Sequence, residues 1–272
     1  MPTATANGID LSYVESGKGR QTVVFAHGLL FDQHMFEAQR HALEDRYRVI
    51  AYDHRGQGAS APAAGGYDLD TLTEDAVDLL RGTQCVPCHF VGLSMGGFVA
   101  LRLAARYPEL LRSLTLLSTS ASAEPLLRRI RYRMMQAVFG LFGPAPLIGS
   151  LLPVMFGPSF RTDPARRAEL ERWIHHVQSL PRRIVGPVGG VIGRASVRAE
   201  LKYIRCPTLV LVGDEDRTTP PEEAELLARE IHGARLVRLP RCGHNSAIEA
   251  PEAVARAIGE FLVGVDALEA AA

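Results

Sequence analysis

Five short runs do most to limit what this chain can fold into: TVVFAHG (22–28), YRVIAYD (47–53), CHFVGLS (88–94), LRSLTLLST (111–119) and PTLVLVGDED (207–216). They are close to continuously apolar instead of alternating, the mark of strands buried on both faces. Between them lie helical patterns, MFEAQRHALED (35–45), DLDTLTEDAVDLLRG (68–82) and GGFVALRLAARYP (96–108). Apolar strands alternating with helices predict an α/β fold with a mostly parallel central sheet and helices on both faces. Asn7-Gly8, set between short β-forming runs, predicts an opening antiparallel hairpin. Asp70 is read as the N-cap of the 68–82 helix.

The alternation breaks at about residue 121. From there to about 200 the pattern is helical and irregular, with seven prolines from Pro144 to Pro187. Strand character then returns, followed by a helix near 221–232, the run ARLVRLPRCGH (234–244) and a last helix from Pro251. The expected organisation is a core in two parts, residues 1–120 and 201–272, with a helical lid inserted at 121–200.

Composition narrows the partners. Thirty Lys and Arg balance thirty Asp and Glu, so nothing points to nucleic acid, and small molecules become the expected partners. The N-terminus has no secretory leader pattern, and no run of about 18 apolar residues suggests a membrane span. Four scattered cysteines do not make a disulfide framework, so the chain is read as cytoplasmic. Cys85-x-x-Cys88 lacks a second pair and precedes a strand, which argues against zinc or redox chemistry. No metal or cofactor is expected, and the oligomeric state leaves no trace in the sequence.

In an open parallel sheet ligands meet the carboxyl ends of the strands. Gly28, Ser94, Asp216 and His244 stand at such exits. Gly92-x-Ser94-x-Gly96 at a strand-to-helix junction is the pattern that holds a serine hydroxyl out of a strained turn, beside the positive end of a helix. Serine needs a base and an acid to orient that base. His244, in RCGHNSAIEAPE, and Asp216, in VGDEDRTTP, are the expected pair. His54 in DHRGQGAS competes for the base, although Gly56 and Gly58 mark that loop as a tight turn; Asp214 competes for the acid, and Glu215 is read as solvated.

Taken in order, AHGLL, DHRGQGAS, VGLSMGG, LVGDEDRTTP and CGHNSAIEAPE resemble the α/β-hydrolase superfamily, in the branch of serine esterases, enol-lactone hydrolases and cofactor-free perhydrolases. The resemblance spans nearly the whole chain and is weakest over 121–200. It implies the order nucleophile, acid, histidine as Ser94, Asp216, His244. It also implies an oxyanion hole from the backbone N–H groups of Leu29 and Met95, such donors supplying roughly 3 to 4 kcal/mol each.

The expected reaction is carboxylic ester cleavage through an acyl-enzyme, with a small ester or lactone as substrate. An enol-lactonase, or a C–C bond hydrolase of carboxylated substrates, would use the same three residues; a ligand-binding receptor with weak turnover is the reading from another class. For the pocket, Leu30, Phe36 and Trp173 are expected to contribute. Ile130, Met134, Val138 and Phe142, spaced by four, are read as an apolar helix face resting on the site. Residues 121–200 carry 12 Arg, no Lys and 5 acidic residues, formally +7. That charge is read as a solvated face, with steering of anionic substrates as the alternative.

Overall fold

In the computed structural model, which describes residues 1–271, eight strands form one sheet in the order β1-β2-β4-β3-β5-β6-β7-β8. The strands are β1 (Thr3–Ala6), β2 (Ile9–Ser16), β3 (Thr22–Ala26), β4 (Arg48–Tyr52), β5 (Cys88–Leu93), β6 (Leu111–Leu117), β7 (Thr208–Gly213) and β8 (Arg235–Leu239). β1 and β2 form the expected hairpin, with Asn7 and Gly8 both at positive φ, and β2 runs antiparallel to β4. From β4 to β8 all pairs are parallel. β3, β5 and β7 are wholly buried, as their continuous apolar character requires.

Helices cover both faces. α1 (Glu37–Leu43), α2 (Leu69–Gly82) and α3 (Met95–Arg106) fall between strands in the first part of the chain. One apolar cluster joins α2 and α3 to one face of the sheet, and a second gathers on the opposite face. The cap of α2 is Asp68, not Asp70: Asp68 Oδ1 accepts from Thr71 N at 2.9 Å, the geometry a residue two positions later cannot reach. Asp70 sits in the first turn instead and pairs with Arg102 and Arg106 of α3.

Between β6 and β7 the chain is helical: α4 (Leu126–Phe142), α5 (Ile148–Met155), α6 (Pro158–Thr162), α7 (Arg167–Gln178) and α8 (Val185–Ile192). After β7 come α9 (Pro221–Glu230), α10 (Ser246–Glu249) and α11 (Pro251–Ala271). Among the described residues no helix is long and apolar enough to cross a membrane. Cys85 and Cys88 are free thiols, both buried.

Candidate active site

Ser94 lies between the end of β5 and the first turn of α3, at φ 51° and ψ −108°. A non-glycine residue held there costs on the order of 1–3 kcal/mol, so the surroundings must impose it. They do so at close quarters. A Cβ on Gly96 would stand 2.0 Å from the carbonyl oxygen of Ala26, and one on Gly92 2.3 Å from that of Gly96. Neither glycine has positive φ; each is needed because backbone passes against backbone, while the strain falls on the serine. Hydrogen bonds fasten the turn: Ser94 N to Leu117 O at 2.9 Å, Gly96 N to His27 O at 3.1 Å and Thr119 Oγ1 to Ser94 O at 2.9 Å.

His244 arrives on the loop after β8 and Asp216 on the loop after β7. His244 Nε2 is 2.9 Å from Ser94 Oγ, and its Nδ1 is 2.9 Å from Asp216 Oδ2 and 3.1 Å from Oδ1. All three are buried. Asp216 is further engaged by Thr219, whose Oγ1 donates to Oδ2 at 2.9 Å, and by the N–H groups of Thr218 and Thr219 donating to Oδ1. Burial alone would raise the Asp216 pKa; the adjacent imidazole and these N–H donors outweigh it and hold the carboxyl below its ordinary value. With Asp216 a carboxylate, Nδ1 of His244 is the donor to it, leaving Nε2 to face the hydroxyl.

The competing residues stand elsewhere. Asp214 is exposed and bound to Arg238 Nε at 2.7 Å. His54 packs edge-on against His27 and Tyr52; burial drives its pKa well down, and neither ring nitrogen has a partner. Glu215 is not simply solvated, since its carboxylate accepts from Ser159 N at 2.9 Å and Ser159 Oγ at 2.6 Å.

Two backbone N–H groups border the serine. Met95 opens α3, where the first turn leaves N–H groups without an intrahelical acceptor. Leu29 N has no acceptor among the described residues. The loop that carries Leu29 is stitched by His27, whose Nδ1 lies 2.8 Å from Gly28 O and whose Nε2 accepts from His54 N at 3.0 Å. These contacts assign the Nδ1–H tautomer to a ring that burial already favours as neutral. Leu30 N donates to Gln57 Oε1 at 3.2 Å, a further brace on this loop.

Beside Ser94 and His244 opens a cavity of about 140 Å³, lined mainly by apolar side chains of the 121–200 segment and the 28–31 loop. A dry cavity of about 150 Å³ accommodates benzene, so the space suits one compact acyl or alkoxy group. Leu30 lines it; Phe36, Met134, Val138, Phe142 and Trp173 do not. Phe36 is buried beneath, against Phe25, and Trp173 packs on Phe31 from behind. Met134 and Phe142 are 66% and 67% exposed, Ile130 is exposed too, and Val138 packs on the core. The face of α4 that meets the cavity is Tyr132, Met135, Gln136 and Phe139. On a helix of 3.6 residues per turn the contact face lies about 190° round the axis from Ile130, so the 130–142 stripe begins on the far side of α4 and has not come round to the cavity by Phe142.

Glu249, which no sequence reading singled out, sits at the back of the site. Its Oε2 accepts from Gly157 N at 2.9 Å and Gly243 N at 2.8 Å, and its Oε1 from Asn245 N at 3.1 Å. Both chain neighbours of His244 are thus held by one carboxyl, whose pKa burial raises to about 7 against the pull of those N–H donors. Its place five residues after His244 in GHNSAIE was the available signal. Asn245 Nδ2 also donates to Met155 O at 2.6 Å, and Thr218 Oγ1 to Val154 O at 2.6 Å. Arg166 donates to the carbonyls of Ile248 and Glu249. Among the described residues no group of His, Cys, Asp or Glu side chains is placed to hold a metal ion.

Residues 23–257 match the model of the Alpha/beta hydrolase family. The chain is 28% identical to 3-oxoadipate enol-lactonase 2 of Acinetobacter baylyi over 94% of each protein. Among solved structures, a thermophilic esterase from Thermogutta terrifontis superposes with a TM-score of 0.89 at 32% identity, covering 97% of this chain and 98% of that one. The enol-lactonase from Burkholderia xenovorans superposes with a TM-score of 0.88 at 28% identity, covering 96% and 100%.

Proposed function

The chain belongs to the alpha/beta hydrolase family, and on that premise we propose that it is a serine hydrolase of carboxylic esters or lactones acting through Ser94, His244 and Asp216. The observation that carries this reading is the continuous chain from Asp216 Oδ2 through His244 to Ser94 Oγ, 2.9 Å at each link, at the N-terminus of α3. His244 Nε2 takes the proton of Ser94 as the hydroxyl attacks the carbonyl carbon. The N–H groups of Met95 and Leu29 receive the charge that develops on the carbonyl oxygen. Asp216 steadies the imidazolium, which then protonates the departing alcohol; water repeats the cycle on the acyl-enzyme and frees the acid.

The lining favours neutral substrates over carboxylated enol-lactones. Arg194 is the sole arginine or lysine among the lining residues, and it is already paired with Glu124. The 121–200 segment would act as the lid that closes this apolar space. A lactone ring and an open ester present the same carbonyl to Ser94, so the likeness to an enol-lactonase is compatible with both.

The test is a panel of short acyl esters and lactones with wild type and Ser94→Ala. Loss of the serine is expected to lower kcat on the order of 10⁶-fold with the thermal transition unchanged, as for residues that work as a unit. Retention of most of the rate by Ser94→Ala rejects the mechanism. A rapid burst followed by no turnover on every ester would favour a receptor instead.

A further inference from the structure

The cavity beside Ser94 is apolar along most of its wall and ionic at one place. Glu124 and Arg194 both line it, with side chains 8% and 6% exposed, and Arg194 Nη1 donates to Glu124 Oε2 at 2.7 Å. The arginine has structural work to do. Its Nε donates to Ser122 O at 3.1 Å, its Nη1 also to Val191 O at 3.2 Å, and its guanidinium lies 4.3 Å from the centre of the Phe98 ring. Glu124 is different, because half of its carboxylate is unused. Oε1 is buried and has no hydrogen-bond partner. Leaving an acceptor on a charged group unfilled in the interior is costly, and hydrogen bonds to charged groups are the stronger kind.

The place of the pair relative to the serine is set by α3. Phe98, on which Arg194 rests, is the residue whose N–H bonds to Ser94 O, so it lies one helical turn away, a rise of about 6 Å. Ser94 and Glu124 line the same cavity, so a substrate with its carbonyl at Ser94 shares that space with the Glu124 carboxylate.

We propose that Glu124 is a specificity-determining residue whose Oε1 accepts a hydrogen bond from an uncharged donor, a hydroxyl or amide N–H, carried by the part of the substrate remote from the carbonyl under attack. This rests on the hydrolase reading above. The chemistry of the donor follows from the charges. The Glu124–Arg194 pair has no net charge, so a substrate carboxylate would meet the glutamate with the neighbouring cation already taken. An ammonium group would compete with Arg194 for the same carboxylate. A neutral donor fills Oε1 and disturbs neither partner.

The experiment compares three ethyl esters of matched length, ω-hydroxypentanoyl, hexanoyl and adipoyl, which end in hydroxyl, methyl and carboxylate. With wild type, kcat/KM for the hydroxylated ester is expected to exceed that for the methyl ester by about tenfold to hundredfold, the factor that corresponds to leaving one buried acceptor without its hydrogen bond. Glu124→Gln should shrink that ratio. Glu124→Met combined with Arg194→Met, which avoids stranding a buried charge, should bring it to about one. Equal wild-type values for the hydroxyl and methyl esters mean that solvent alone fills Oε1, and the proposal falls; preference for the adipoyl ester overturns it as well. Titration calorimetry of the same esters into Ser94→Ala reads the subsite without turnover. Tighter binding of the hydroxylated ester with no hydrolysis by wild type would reject the hydrolase reading and leave the subsite standing. Hydrolysis without discrimination would do the reverse.

Discussion

The space next to Ser94 has two walls of different construction. On the sheet side, backbone lies on backbone: Gly92 and Gly96 leave no room for a Cβ, His27 ties two loops through both ring nitrogens, and Ser94 itself is held at positive φ. On the helical side, side chains of α4, α5 and α8 face the cavity while Leu127, Met134 and Phe142 of α4 remain exposed. The first wall has almost no slack, and the second is held by a few polar ties and partly buried side chains. The proposed nucleophile stands on the wall packed backbone to backbone, and the cavity takes its shape from the wall whose side chains can change without undoing the strained turn.

One substitution made on each side tests the contrast, with a third at the joint between them. Gly96→Ala should have the largest effect. Its Cβ would collide with the Ala26 carbonyl, and because that obstacle is backbone the cost should reach about 4 kcal/mol, the upper end for overpacking. Displacement of Ser94 should lower kcat/KM by about 10²-fold in whatever protein remains folded. Near-normal denaturant stability and ester turnover in this variant would break the comparison.

The joint is Glu249, whose carboxyl accepts from Gly157 on the helical side and from the residues flanking His244 on the sheet side. Burial raises its pKa from 4.5 to about 7 in the folded protein. The native state therefore holds this proton more tightly than the unfolded chain, and stability from this group is complete below about pH 4.5 and declines as pH rises to about 7. The decline should be about 3 kcal/mol and flat above that range. The lowered pKa of Asp216 acts below the ordinary carboxylate range and does not overlap this window. Unfolding of wild type and Glu249→Gln across pH 4 to 8 should differ by that slope, because the buried His27 and His54, whose lowered pKa values make stability rise toward pH 6.5, act alike in both; parallel curves would remove Glu249 as the titrating group.

The smallest effect is expected from Gly149→Ala in α5. A Cβ there meets nothing within 4 Å, so the substitution should stabilise by about 0.5–1 kcal/mol through helix propensity, with turnover unchanged. A large loss of stability would show that the helical wall is packed as tightly as the other, and the distinction would collapse.

How far each wall could be read from sequence follows the same division. Strand positions, burial and the exits at Gly28, Ser94, Asp216 and His244 are local features: an apolar run, a small residue where backbone must pass, a loop after a strand. The structure sets His244 within hydrogen-bond distance of both Ser94 and Asp216. Glu249 left only its spacing from His244 as a signal and the Glu124–Arg194 pair left none, because Gly157 and the two members of the pair are brought together from remote parts of the chain. Met134 and Phe142 lie away from the cavity because α4 turns the side carrying Tyr132, Met135, Gln136 and Phe139 to it, and apolar spacing alone does not say which side of a helix faces a site. Asp68 and Asp70 are chemically alike, and only backbone conformation decides which caps α2.

The ties made by residues 154–166 bear on how this enzyme could be rebuilt. That short stretch holds the loops of both Asp216 and His244 through Val154, Met155, Gly157, Ser159 and Arg166. Exchanging 121–200 with the equivalent stretch of another enzyme would remove those anchors together with the specificity surface. A chimaera that keeps 154–166 and replaces α4 and α8 instead would carry a new cavity on the original supports of the histidine and acid loops.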